Sequence, residues 1–218
     1  MSPCLSTKLK VLYYPVPKVA GTSIRHALFE ADNGFAYRDM LLGGKKIELN
    51  HIYGAKTTPF VPAKPAAGVA KIAVVRDPLE RLVSVYRNRV LYYNQTKSSE
   101  LTKFKVDPGL PPKPDIETFV MNLHEYRKVP GIAHHTNPHV HFLGKDLDYF
   151  DRVFRFEQLA EFEAWLSARA KKPVRLPKLR TEGPEIPPSV LSARATKRVY
   201  KLYAHDYTLL KGIYPTQP

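Results

Sequence analysis

Lys18, Gly21, Thr22 and Ser23 stand together in the stretch Pro15-Val16-Pro17-Lys18-Val19-Ala20-Gly21-Thr22-Ser23. A full positive charge, a residue without Cβ and two hydroxyl donors suit one kind of guest, an anion with several acceptor oxygens. The first amides of a helix have no partner within it and sit at the positive end of its dipole. A strand–turn–helix junction of this composition therefore predicts a phosphate site, with Gly21 letting the backbone come close to the ligand. The order is not that of the nucleoside-triphosphate loop, in which Lys follows the Gly and a hydroxyl holds Mg²⁺. Here Lys18 precedes Gly21 and Thr22 follows it directly. The alternative is a plain strand–helix connection that carries these residues by chance.

A second anion site is expected at Arg76, with Ser84 eight residues on. Arg76 ends an apolar run, and its planar guanidinium matches a phosphate. The competing reading pairs Arg76 with a nearby carboxylate and leaves Ser84 idle on its helix. His134, His135, His139 and His141 form a third cluster. Their spacing matches no common zinc site and lacks cysteine ligands, so a loop lining an acceptor groove, or a surface loop, is preferred to a metal centre.

The elements that must position these residues follow from periodicity. Residues 9–14 predict a buried strand, and 23–31 a helix with Ile24, Ala27, Leu28 and Ala31 on one face. Residues 45–53 predict a strand with His51 near its end. Ala70-Lys71-Ile72-Ala73-Val74-Val75 is apolar enough for a central parallel strand. Asp77 suits a helix cap, Pro78 the first helical position and Glu80 the reciprocal capping position. Residues 96–114 read as a mobile loop, 116–127 as a helix, 134–144 as loop and 149–156 as a strand. Residues 159–170 read as a helix, 173–188 as a basic Pro-rich segment and 190–210 as a final helix. Strands alternating with helices predict an α/β fold with a central parallel sheet flanked by helices, in one domain spanning 1–218.

Composition narrows the partners. The 218 residues hold 34 Lys and Arg against 20 Asp and Glu, a net charge of +14. Such a balance favours polyanions: nucleic acid, phosphorylated cofactors, acidic glycans or a membrane surface. Cys4 is the single cysteine, so no disulfide can form within the chain, and a reducing compartment is expected. No apolar run reaches membrane-spanning length and no secretory leader is expected after Lys8 and Lys10. The expectation from these features is a soluble cytoplasmic protein.

At this point the motifs resemble a known family. Pro17-Lys18-Val19-Ala20-Gly21-Thr22-Ser23 is similar to the 5′-phosphosulfate loop of sulfotransferases, and Val75-Arg76-Asp77-Pro78-Leu79-Glu80-Arg81-Leu82-Val83-Ser84 to their 3′-phosphate motif. The pattern resembles in particular the Golgi-type carbohydrate sulfotransferases of the heparan sulfate uronyl 2-O branch; set beside that anchored branch, the chain is expected to be a soluble member of bacterial type, or the trimmed lumenal domain of a Golgi enzyme. Arg155-Phe156-Glu157-Gln158-Leu159 and Tyr203-Ala204-His205-Asp206-Tyr207 follow it too. The resemblance implies a P-loop-like three-layer fold and the donor 3′-phosphoadenosine 5′-phosphosulfate (PAPS). It implies donor contacts from Lys18, Ala20, Gly21, Thr22 and Ser23 at one end and from Arg76 and Ser84 at the other. It makes His51 the catalytic base, Lys18 a catalytic cation, and Lys178 and Arg180 candidates to close over the nucleotide. Leu49 stands where that branch carries a second histidine. The acceptor implied is a hydroxyl on a carbohydrate, with no metal needed and nucleic acid an improbable partner. Two other classes compete: a non-enzymatic polyanion-binding module and a P-loop phosphotransferase.

Overall fold

A computed structural model describes residues 3–53, 59–179 and 182–216. The strands are β1 (Cys4–Ser6), β2 (Val11–Tyr14), β3 (Met40–Leu42), β4 (Lys45–Ile47), β5 (Ala70–Val75) and β6 (Arg152–Arg155). The first helices are α1 (Gly21–Asn33), α2 (Leu49–Ile52), α3 (Pro78–Val85), α4 (Ser98–Lys103), α5 (Ile116–Met121) and α6 (Leu123–Tyr126). They are followed by α7 (Pro130–Thr136), α8 (His139–Leu143), α9 (Leu159–Ala170), α10 (Ala193–Leu202) and α11 (Ala204–Leu209). The chain forms two compact units, Met1–Val75 with His139–Arg180, and Arg76–Pro138 with Thr181–Pro218.

The first unit holds a four-stranded sheet in the order β1-β2-β5-β6. The predicted α/β class is correct, and the sheet is parallel except for its edge strand. β2, β5 and β6 run parallel, while β1 pairs antiparallel to β2. Val11, Tyr13, Ile72, Ala73, Val74 and Val75 are all fully buried, as expected of strands covered on both faces. Helix α1 packs on β1 and α9 on β6. The Phe154 ring lies 5.0 Å from Phe162 and 5.4 Å from Trp165. The Tyr14 and Tyr149 hydroxyls meet at 2.6 Å, and the amide of Ala63 donates to Tyr149 Oη at 2.8 Å. This network ties the loop before β5 to the sheet. Gly144 has φ 79°, and a Cβ there would stand 2.7 Å from the Phe60 ring, so only glycine serves.

In the second unit α3 starts as expected: Pro78 is the first helical residue, and the Asp77 carboxylate accepts the Leu79 and Glu80 amides at 2.9 and 3.1 Å. The helix continues as a π-helix over Tyr86–Tyr92. Leu82, Tyr86, Phe119, Tyr126, Val199 and Tyr203 share one apolar core.

Several element boundaries differ from expectation. Residues 96–114, expected as loop, contain α4 and bury Leu101 and Val106 in that core. The helix expected over 116–127 breaks at Asn122, whose backbone and side-chain amides both donate to Thr118 O, at 3.1 and 3.0 Å. The expected loop 134–144 is mostly helical, in α7 and α8. The strand expected over 45–53 ends at Ile47, so His51 lies on a short helix instead. The final helix divides at Tyr203, whose hydroxyl donates to Thr136 O at 2.9 Å.

Candidate functional site

β2 delivers the chain to the first motif. Pro15, Val16 and Pro17 are buried, and the backbone then enters the left-handed region twice, at Lys18 (φ 69°) and Ala20 (φ 61°). Neither is glycine, and each such residue costs roughly 1–2 kcal/mol. Left-handed residues alternating with their neighbours turn successive N–H groups toward one concavity. Helix α1 then begins at Gly21, with the Ile24 amide donating to Ala20 O at 3.0 Å. No side chain caps this end, and the first turn holds no acidic residue. The polar groups of the junction are the first-turn amides, the Thr22 hydroxyl, the buried Ser23 hydroxyl and the Lys18 side chain, a composition that suits an anion.

The left-handed backbone falls on Lys18 and Ala20, not on Gly21. A Cβ on Gly21 would stand 3.4 Å from Tyr13 Oη and 3.6 Å from Val16 O. Glycine there packs the start of the helix close over the buried Tyr13. Burial pushes the Tyr13 hydroxyl well above its ordinary pKa, against the pull of the Arg25 guanidinium. Cys4 shares this pocket; burial pushes its thiol up to about 11, again opposed by Arg25.

The second motif leaves the neighbouring strand. β2 and β5 are adjacent and parallel, with Tyr14 opposite Ala73. Their carboxyl ends therefore lie on one edge of the sheet. The loop carrying Lys18 leaves one, and Arg76 is the first residue beyond the other. Arg76 Nη2 and Nε lie 3.3 and 3.4 Å from Glu80 Oε2. The Glu80 carboxylate turns to Arg76. This is the carboxylate pairing of the competing reading, made between half-buried partners. Ser84 is half-buried two turns along α3.

His51 is exposed on α2. Its Nδ1 accepts the Glu48 amide at 2.9 Å, and the Glu48 carboxylate accepts the His51 amide, a reciprocal capping box. With Nδ1 so engaged, the neutral ring carries its proton on Nε2. Lys178 is exposed in the unit that holds the anion loop, and Arg180 lies outside the described residues. His134 and His135 belong to α7, and His139 and His141 to α8. Among the described residues no group of three His, Cys, Asp or Glu side chains stands close enough to hold a metal ion.

Sequence reasoning passed over Arg81. Its side chain is fully buried, donates to His135 O at 3.1 Å and Asn137 O at 2.7 Å, and lies 3.9 Å from the buried Asp206 carboxylate. The Tyr203 ring lies 5.5 Å from its guanidinium. One side chain thus joins α3, the end of α7 and α11. The signal was the arginine at the fourth position of an amphipathic helix, on the side of its apolar residues.

A family model described as Sulfotransferase family matches residues 4–215. No curated protein matches the chain, and no solved structure does. Among the described residues no helix is long and apolar enough to cross a membrane.

Proposed function

The chain belongs to the sulfotransferase family, and from that premise we propose that it transfers the sulfuryl group of PAPS to a hydroxyl of a carbohydrate acceptor. The supporting observation is the sheet edge: two adjacent parallel strands each end in a motif suited to phosphate. In this reading Lys18 and the amides of Ala20, Gly21, Thr22 and Ser23 hold the 5′-phosphosulfate. Arg76 and Ser84 hold the 3′-phosphate, with Lys178 and Arg180 closing over the nucleotide. The basic balance of the chain, +14, favours an acidic glycan among carbohydrates.

The reaction is an in-line displacement. The acceptor oxygen forms a bond to sulfur while the bond from sulfur to the bridging 5′-phosphate oxygen breaks. The acceptor proton passes to His51, and the negative charge on the departing nucleotide gathers at Lys18 and the first-turn amides. Preorganised donors of this kind supply much of the rate enhancement in such sites, and a positioned base typically contributes about 10²–10⁴-fold. The capping geometry constrains the base. His51 has a lone pair to offer only at Nδ1, so the Glu48 amide must release it first, at a cost of about 0.5–1.5 kcal/mol. Lys18 and Arg76 provide the positive charge, and no step calls on a metal.

The test follows transfer of labelled sulfuryl from PAPS to a panel of glycans, with nucleotide affinity measured alongside. His51→Ala lowers turnover by at least about a hundredfold and leaves nucleotide binding unchanged. Equal loss of both, or full activity, removes His51 from the base role. Absence of transfer to any carbohydrate, with transfer to a lipid, phenol or peptide, overturns the acceptor class.

A further inference from the structure

The hairpin β3–β4 is a two-stranded sheet of its own, outside everything the sulfuryl chemistry uses. Its apolar residues are turned outward. Met40, Leu41 and Leu42 are 51, 77 and 70% exposed. Among the described residues, six of the eleven large hydrophobic side chains left exposed lie between Phe35 and Val61. Three of them, Met40, Leu41 and Leu42, are consecutive on one strand, which is more than the scatter of single exposed apolar residues found on soluble surfaces.

The register says what could cover it. Met40 pairs with Ile47, Leu41 with Lys46 and Leu42 with Lys45. Side chains alternate faces along a strand, so Leu42 projects from one face of the ribbon and Leu41 from the other. A folded partner packing on the ribbon covers one face and leaves the other wet. A fluid apolar phase surrounds both. The turn suits this, because Gly43 and Gly44 both have positive φ, 57° and 74°, and put no side chain at the tip. Basic residues flank the apolar tip: Arg38 precedes it, and Lys45 and Lys46 follow. Lys46 pairs with Asp39 at 2.7 Å, while the long stems of Arg38 and Lys45 can lie along apolar surface with their charges held at a polar boundary.

We infer that the β3–β4 hairpin docks the protein on the surface of an anionic bilayer, with Met40, Leu41 and Leu42 entering the boundary between headgroups and acyl chains and Arg38 and Lys45 meeting anionic headgroups. Apolar area and basic charge act together in such binding, and neither alone anchors strongly. The depth is limited to the interface, since the turn carries backbone groups that hydrocarbon cannot satisfy.

Co-sedimentation of the full chain with phosphatidylcholine vesicles, with and without phosphatidylserine, tests this. The protein sediments with the anionic vesicles and not with the neutral ones. Leu41→Ser with Leu42→Ser lowers anionic-vesicle affinity by about tenfold or more, and Lys45→Gln lowers it about fivefold. These side chains are exposed, so the variants keep the parent's thermal midpoint; because a chain of net charge +14 is drawn to any anionic surface, the loss of binding in the Leu variants carries the test, and Leu41→Ala with Leu42→Ala replaces the serine pair if that pair fails to fold. Failure of the parent to bind anionic vesicles overturns the inference, as does binding that survives the Leu substitutions. Concentration-dependent dimerisation lost in the same variants, without vesicle binding, overturns it in favour of a second copy as the occupant. None of these outcomes depends on nucleotide binding or sulfuryl transfer.

Discussion

Ala20 has a Cβ in a backbone region that penalises one, and it has it at the helix start where an anion is expected. Replacing it by glycine removes a strain of roughly 1–2 kcal/mol and adds back a smaller entropic cost to folding. Ala20→Gly is therefore expected to stabilise the chain by about 0.5–1 kcal/mol, read as a higher urea midpoint with unchanged slope. A lower midpoint would mean that residue 20 does not hold the left-handed conformation. Cys4 makes a second prediction at this scale. Its thiol has an ordinary value of 9.0 and is raised to about 11 by burial. An acid with a raised folded-state pKa favours folding while neutral. That contribution is complete below pH 9 and is lost as pH rises toward about 11. It is at most about 2–3 kcal/mol. Unfolding curves of the parent and Cys4→Ala across the alkaline range should converge as pH rises; parallel curves would show that the thiol is not buried. At neutral pH the native thiol should resist alkylation until the protein unfolds.

At the scale of elements, the buried Arg81 is the joint between helices. Arg81→Ala removes the guanidinium that lies 3.9 Å from the buried Asp206 carboxylate and donates to two carbonyls. Loss of one partner of a buried pair typically costs about 3–5 kcal/mol, to be measured by urea unfolding. Arg81→Lys should recover only part, since an ammonium cannot span both carbonyls as the planar fork does. A cost under about 1 kcal/mol for the alanine variant would show that the joint is ornamental. The elements that sequence patterns located best were those with one strong local signal. Ala70–Val75 is a continuous apolar run, and Leu159–Ala170 is helical over the expected residues. Patterns failed where a side-chain hydrogen bond or a long-range contact decided the outcome. Asn122 interrupts a helical run through its own side chain, and Tyr203 interrupts another by reaching the Thr136 carbonyl. Residues 96–114 read as loop because proline and lysine mask Leu101 and Val106, which find their core only through tertiary packing.

For the whole molecule, the family and the α/β class were legible from two motifs and the alternation of elements, and both stand. The Lys18–Ser23 loop was legible as a composition, but not its backbone: nothing in Lys18 or Ala20 as residue types announces a left-handed conformation. Nor was the tie between His51 and Glu48, which depends on a short helix where a strand was expected. In the proposed function, what joins these parts into an enzyme is a single nucleotide donor held at both ends by charge. A chain with net charge +14 attracts any polyanion, so the decisive ligand is small and specific. Calorimetry with adenosine 3′,5′-bisphosphate at physiological salt should show one site per chain, with Lys18→Ala and Arg76→Ala each weakening it by about ten- to a hundredfold, the worth of a charged hydrogen bond. No binding by the parent protein, or binding indifferent to both substitutions, would contradict the account.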